Sequence, residues 1–165
     1  MTEKQLINKA QETVSFLKEQ NLTLGLAESC TGGWLSKIIT DISGASAVYN
    51  GGICSYSNEV KINLLGVSPE TLRLYGAVSE QTATQMANGA RNALKSDIGV
   101  GITGIAGPKS DDTLKPVGLI YVAVADANKT IVKELRNNFT DEIRLNNRLS
   151  AMETALNLLG GLNEK

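Results

Sequence analysis

The sequence predicts a three-layer α/β/α sandwich around a mixed, roughly five-stranded sheet. Three observations carry this. Apolar runs of strand length alternate with runs of helical periodicity, in the order α-β-α-β-α-α-α-β-β-β-α. The first strand-like runs are separated by helices, which suits parallel pairing. The last two, Val117–Ala125 and Thr130–Phe139, are joined only by Asp126–Lys129, and so short a link requires an antiparallel hairpin.

Each element has a local reason. Over Thr2–Glu19, Leu6, Ile7, Ala10, Val14 and Leu17 recur at helical steps, and Asn21 can close the helix. Leu22–Ala27 reads as the first strand and Gly33–Ile42 as a short helix ended by Ser43-Gly44. Tyr49–Tyr56 reads as a second strand in which Gly51-Gly52 mark a bulge. Ser57 can cap a helix over Asn58–Leu65 with Gly66 at its end, and Ser68-Pro69 starts another that stops at Gly76. Ser79-Glu80 opens a longer helix to about Lys95, striped by Ala83, Met86, Ala87, Ala90 and Leu94. Ile98–Thr103 is a third strand, followed by a long loop from Gly104 to Pro116. Thr140–Gly160 is the last helix, with Leu145, Leu149, Met152, Leu156 and Leu159 inward.

Composition narrows the function. The 165 residues fit one domain of ordinary globular make-up, 42% hydrophobic and 20% charged. A net charge of −1 with no basic block argues against a nucleic-acid partner but leaves room for a small anionic ligand. The absence of histidine removes a Ser-His-Asp triad and every His-based metal site. Cys30 and Cys54 lack zinc-site spacing. With no signal peptide and no run long enough to span a bilayer, a cytoplasmic protein with reduced thiols is expected.

The chemistry gathers at Ala27-Glu28-Ser29-Cys30-Thr31-Gly32-Gly33-Trp34, where a strand ends and a helix begins. Helix starts leave N–H groups unpaired, and this turn adds two hydroxyls and a thiol. The ordinary role of such a serine is capping. Thr31 can serve that role, which leaves Ser29 as a candidate nucleophile and Gly32 and Gly33 as backbone donors. Without histidine its base must be Lys, Tyr, Asp or Glu. Lys61 and Tyr56 are the best placed, Lys61 as direct base or Tyr56 as relay. A lysine base needs its pKa lowered from about 10.4 to about 7–8, roughly 4 kcal/mol, which an apolar site can supply. Cys30 ranks lower, as a packed small residue.

Gly101-Ile102-Thr103-Gly104-Ile105-Ala106-Gly107-Pro108 is a second glycine-rich strand end. It matches neither the dinucleotide fingerprint nor a P-loop. It either turns sharply or lets a ligand approach the backbone at Thr103, Gly104, Ala106 and Gly107. Arg144 and Arg148, four apart on the last helix, share a face and could clamp a phosphate.

With these blocks in view, the chain resembles the CinA C-terminal domain family, including its stand-alone nicotinamide-nucleotide amidohydrolases of the PncC type. The resemblance rests on Leu26–Gly33, Tyr56–Lys61, Gly76–Glu80, Thr103–Pro108 and Lys115–Gly118, in order along nearly the whole chain. It implies hydrolysis of nicotinamide mononucleotide to nicotinate mononucleotide and ammonia, in pyridine-nucleotide recycling, with no metal or cofactor. It implies a small homo-oligomer, a dimer or trimer. The family's serine falls on Ser29 and its lysine and tyrosine on Lys61 and Tyr56. The family's Gly-Asp-Arg lead-in to the last helix is replaced by Asn138-Phe139-Thr140-Asp141-Glu142-Ile143 before Arg144. The alternative is a nucleotide-binding module of the same family that lacks turnover and serves competence or the DNA damage response.

Overall fold

A computed structural model describes residues 2–163. Its elements run α1 (Glu3–Glu19), β1 (Leu24–Glu28), α2 (Trp34–Thr40), β2 (Tyr49–Cys54), α3 (Asn58–Leu65), α4 (Pro69–Tyr75), α5 (Glu80–Ala93), β3 (Ile98–Gly104), β4 (Leu119–Ala125), β5 (Thr130–Arg136) and α6 (Ile143–Gly160). Single 3₁₀ turns add Ala45–Ala47 and Gly161–Asn163. The predicted order therefore holds. The sheet is ordered β2-β1-β3-β4-β5. β1 pairs in parallel with β2 and β3, and β4 is antiparallel to both β3 and β5.

The caps are those the sequence supplies. Thr2 forms a capping box with Gln5, Ser57 accepts from the Val60 N–H, and Ser79 accepts from the Thr82 N–H. A bulge is present, but one step before the glycines: the register passes from Tyr49 opposite Leu24 to Gly51 opposite Gly25, so Asn50 is the extra residue, and Gly51 and Gly52 pair regularly with Gly25 and Leu26. Several boundaries differ from expectation: β1 runs Leu24–Glu28 rather than Leu22–Ala27, α2 runs Trp34–Thr40 rather than Gly33–Ile42, and β5 ends at Arg136 rather than Phe139. β2 ends at Cys54, opposite Glu28 where its partner β1 ends, and the Ser55 N–H and hydroxyl both donate to the Glu28 carbonyl (2.8 and 3.3 Å). β4 starts at Leu119, after Gly118 adopts φ 88°. α6 starts at Ile143, behind Glu142 in the left-handed region (φ 41°, ψ 42°).

The two sheet faces differ in kind. Leu24, Leu26, Ile98, Val100, Ile102, Ile120, Val122 and Val124 pack with α1, α2 and α6 into the main core. The opposite face carries Ala27, Ala123 and Ala125, with Gly99 and Gly101 between them, and α5 lies against it. A Cβ at Gly99 would stand 2.0 Å from the Ala87 carbonyl oxygen, and one at Gly101 would stand 2.5 Å from that of Ala83. The glycines of β3 are thus the condition for α5 to approach so closely. Large residues face one helix layer and small ones the other, with the period of two that a strand imposes.

This topology places the site. β1 is the central parallel strand. Its connection through α2 leads to β2 on one side, and the helices after β2 return the chain to β3 on the other. Chains leaving the carboxyl ends of such strands diverge and open a crevice there. The segments after Glu28, Cys54 and Gly104 all emerge at that edge.

Candidate active site

The crevice has a volume of about 230 Å³ and is lined by Ser29, Lys61, Tyr56, Thr103, Gly107 and Arg144, among others. Its chemistry starts at Lys61. Ser57 caps α3, which puts Lys61 four positions into the helix, on the inner side. The side chain is buried, at 1% exposure, and its Nζ lies 3.1 Å from Ser29 Oγ and 2.6 Å from the Ser55 carbonyl oxygen. No carboxylate pairs with this ammonium among the described residues. Burial lowers its pKa from 10.5 to about 8. Roughly a tenth of the lysine is then neutral at pH 7, against less than a thousandth for an ordinary one. The neutral amine can donate to Ser55 and turn its lone pair to the Ser29 hydroxyl.

Ser29 itself is nearly buried and sits just past β1, its N–H bonded to the Ile102 carbonyl (3.0 Å). Cys30 is buried beside it, and burial pushes its thiol up to about 12. That keeps the thiol protonated, in line with its reading as packing.

Thr31 is not the cap of α2. Gly33 holds the N-cap position at φ 89°, with no side-chain cap of its own, and the Thr31 hydroxyl is buried without a hydrogen-bond partner among the described residues. The capping group is Glu28, which the sequence reading did not single out. Its carboxylate accepts the N–H groups of Gly33 (3.2 Å), Leu35 (3.1 Å) and Ser36 (2.8 Å), and the Ser36 hydroxyl (2.6 Å). Glu28 is 1% exposed. The signal was present: Leu24, Leu26 and Glu28 alternate, so Glu28 shares the face that α2 covers.

The proposed donors shift as well. The Gly33 N–H is taken by Glu28, and the Gly32 N–H by the Ser29 carbonyl (3.0 Å). Among the described residues, the Cys30 and Thr31 amides remain uncommitted to other backbone groups.

Tyr56 lies beyond the end of β2 and is 64% exposed. Its hydroxyl accepts from Arg144 (3.1 Å) and makes no hydrogen bond to Ser29 or Lys61 among the described residues. Lys61, not Tyr56, is therefore the group beside Ser29. Arg144 also donates to the Gly107 carbonyl (3.0 Å), which fixes it on the rim. Arg148 does not join it. One of its NH₂ groups donates to the Thr31 carbonyl (2.9 Å) while the guanidinium stacks over Trp34, 4.8 Å from the ring centroid. It braces the turn from behind, so the two arginines form no clamp.

The second glycine-rich segment forms the opposite wall. Thr103 is buried and donates to the Ala77 carbonyl (2.7 Å), holding the α4–α5 junction against β3. Gly104 ends β3, Ala106 accepts from Asn147 (3.0 Å), and Gly107 turns at φ 83°. Gly104, Ala106 and Gly107 all line the crevice. Among the described residues no cluster of side chains could hold a metal ion, and no helix is long and apolar enough to cross a membrane.

Proteins of known sequence and structure are similar to this chain. A CinA-like protein from Picosynechococcus sp. is 53% identical over 128 residues, 78% of this chain and 30% of its own length. A CinA-like protein from Thermotoga neapolitana is 43% identical over 152 residues, 92% of this chain and 36% of its own. The chain thus spans about a third of the length of the curated relatives it matches. The crystal structure of the competence/damage inducible protein CihA from Agrobacterium tumefaciens superposes with a TM-score of 0.91 at 38% identity, covering 99% of this chain and 97% of that one. A CinA superfamily protein from Escherichia coli gives 0.88 at 29% identity, with 95% and 90% covered. The profile described as CinA C-terminal domain matches residues 7–162, which contain every side chain of the crevice, and the chain belongs to that family.

Proposed function

We propose that the chain is an amidohydrolase that cleaves the carboxamide of nicotinamide mononucleotide, giving nicotinate mononucleotide and ammonia. The observation that carries this reading is the buried Lys61 amine 3.1 Å from Ser29 Oγ, with its pKa lowered to about 8. A base poised near the working pH and touching a hydroxyl is what serine activation requires when no histidine is present.

The steps follow from the contacts. Neutral Lys61 takes the Ser29 proton as Oγ attacks the carboxamide carbon. The oxyanion forms beside the Cys30 and Thr31 amides, and a lost donor of this kind costs about 3–4 kcal/mol in comparable enzymes. The C–N bond breaks as Lys61 returns the proton to the nitrogen, and ammonia leaves. Water, deprotonated by the same amine, attacks the Ser29 ester; the C–Oγ bond breaks as Lys61 returns that proton to Ser29, and the nicotinate acid leaves as its carboxylate, releasing its proton to solvent. Lys109 and Arg144 outnumber Asp111 around the crevice, which favours an anionic substrate, and Arg144 on the rim is the candidate partner for its phosphate.

The test is ammonia release from nicotinamide mononucleotide, nicotinamide and NAD side by side, for the wild type and Ser29→Ala. The mononucleotide is expected to be the preferred substrate and Ser29→Ala to be inactive with its fold intact. Turnover by Ser29→Ala at the wild-type rate would falsify the reading. Binding of the mononucleotide without ammonia release by the wild type would favour a non-catalytic module.

A further inference from the structure

The carboxylate of Glu28 belongs to no reacting group in this scheme, yet it is one of the few charged groups withdrawn from solvent. We infer that Glu28 is the positioning residue of the Ser29 turn, acting through the start of α2; this rests on Ser29 as the nucleophile. Residues 29–33 form a loop closed on itself. At one end the Glu28 backbone is pinned in the sheet, with Ser55 on its carbonyl. At the other, the Glu28 side chain reaches over the turn to the amides of Gly33, Leu35 and Ser36. One residue therefore holds both ends of the segment that carries Ser29, Cys30 and Thr31.

The arrangement also directs the substrate. The unpaired amides at a helix start ordinarily attract an anion. Here the protein's own carboxylate occupies them, so the phosphate has no place at α2 and the positively charged rim at Arg144 is left to receive it. The carboxamide then faces Ser29.

A glutamine at this position keeps the shape but not the pairing. One Glu28 oxygen accepts from Gly33 and Leu35, and the other accepts from the Ser36 amide and hydroxyl. In Glu28→Gln the NH₂ group must face one of these two pairs; because only the Ser36 hydroxyl can switch to accepting, the turn loses at least one of its backbone amide anchors.

The experiment measures Glu28→Gln and the milder Ser36→Ala, which removes one of the four bonds. Three quantities are followed: amide hydrogen exchange by residue, the rate at which a fluorophosphonate labels Ser29 by displacement of fluoride, and kcat and KM for ammonia release. In Glu28→Gln, exchange at Gly33, Leu35 and Ser36 should rise while α5 and β3 keep their protection. Ser29 labelling and kcat should fall about 10- to 100-fold, the cost of a small displacement of a reacting group. KM should stay within about threefold, and the pH of half-maximal kcat should not move, because Glu28 does not touch Lys61. Ser36→Ala should show the same pattern, weaker. Labelling and kcat within twofold of wild type would overturn the inference, as would a rise in KM at constant kcat. Loss of protection across the whole sheet in both variants would also overturn it, by making the role merely structural. If the wild type releases no ammonia but its labelling rate still responds to Glu28→Gln, the amidase reading fails and this one stands.

Discussion

At the scale of the single residue, the proposed chemistry turns on Lys61. An ammonium in a crevice with no carboxylate partner among the described residues is charged only at a cost, and burial expresses that cost as a pKa of about 8. The acid limb of the ammonia-release profile should therefore rise through a half-maximum near pH 8, set by loss of the Lys61 proton. Lys61→Met should abolish turnover, and measurement of kcat from pH 6 to 10 checks both statements. A Lys61→Met variant that keeps activity and only shifts the profile would return Tyr56 to the role of base, despite its hydrogen bond to Arg144.

At the scale of elements, the decisive contacts are those in which one element forbids side chains on another. Gly89 lies in the middle of α5, where alanine would ordinarily stabilise a helix by about 1 kcal/mol. Its missing Cβ would lie 2.0 Å from the Leu65 carbonyl oxygen at the end of α3. Gly89→Ala should therefore destabilise the protein by about 2–3 kcal/mol, the range for an overpacked core, when followed by urea unfolding. Because α3 carries Lys61, the same variant should also lower turnover, and wild-type kcat with lowered stability would show that α3 can shift without moving the site. Arg148 works in the reverse sense. Through the Thr31 carbonyl it joins α6 to the Ser29 turn, so Arg148 braces the turn while Arg144 of the same helix reaches the rim.

For the whole molecule, the site is held at the expense of stability. An unfolded lysine titrates near 10.4 and folded Lys61 near 8. Between these values the unfolded chain binds more protons, so this group makes stability rise with pH over that window. Below about pH 8 both states are protonated and the penalty is constant. The drop from 10.5 to about 8 corresponds to about 3 kcal/mol. Lys61→Met removes it but leaves the Ser55 carbonyl unpaired, which costs about 1–3 kcal/mol. The variant should be about 1 kcal/mol more stable than wild type at pH 7, with that advantage gone by about pH 10.5. Chemical unfolding of both proteins across the range checks the sign.

Much of this was legible in the chain, for reasons that are local. Period-two and period-3.6 patterns and the serine caps mark the elements, and they depend only on neighbours along the sequence. The missing histidines and the Ser29, Lys61 and glycine-rich blocks point to the sheet edge where the crevice lies. What the chain alone left open depends on contacts between distant segments. Lys61 and Tyr56 were equal candidates until the end of β2 turned one inward and the other towards Arg144. Thr31 had the composition of a cap, but Glu28 lies closer to the amides because the strand holds it on the face below α2. Arg144 and Arg148 share a helix face, and only the docking of α6 sends one to the rim and the other behind the turn. Residue type and spacing determine the elements and the inventory of reactive groups; the packing of β1, α2, α3 and α6 determines which of those groups meet, since pairing and burial are set by where the strands and helices cross.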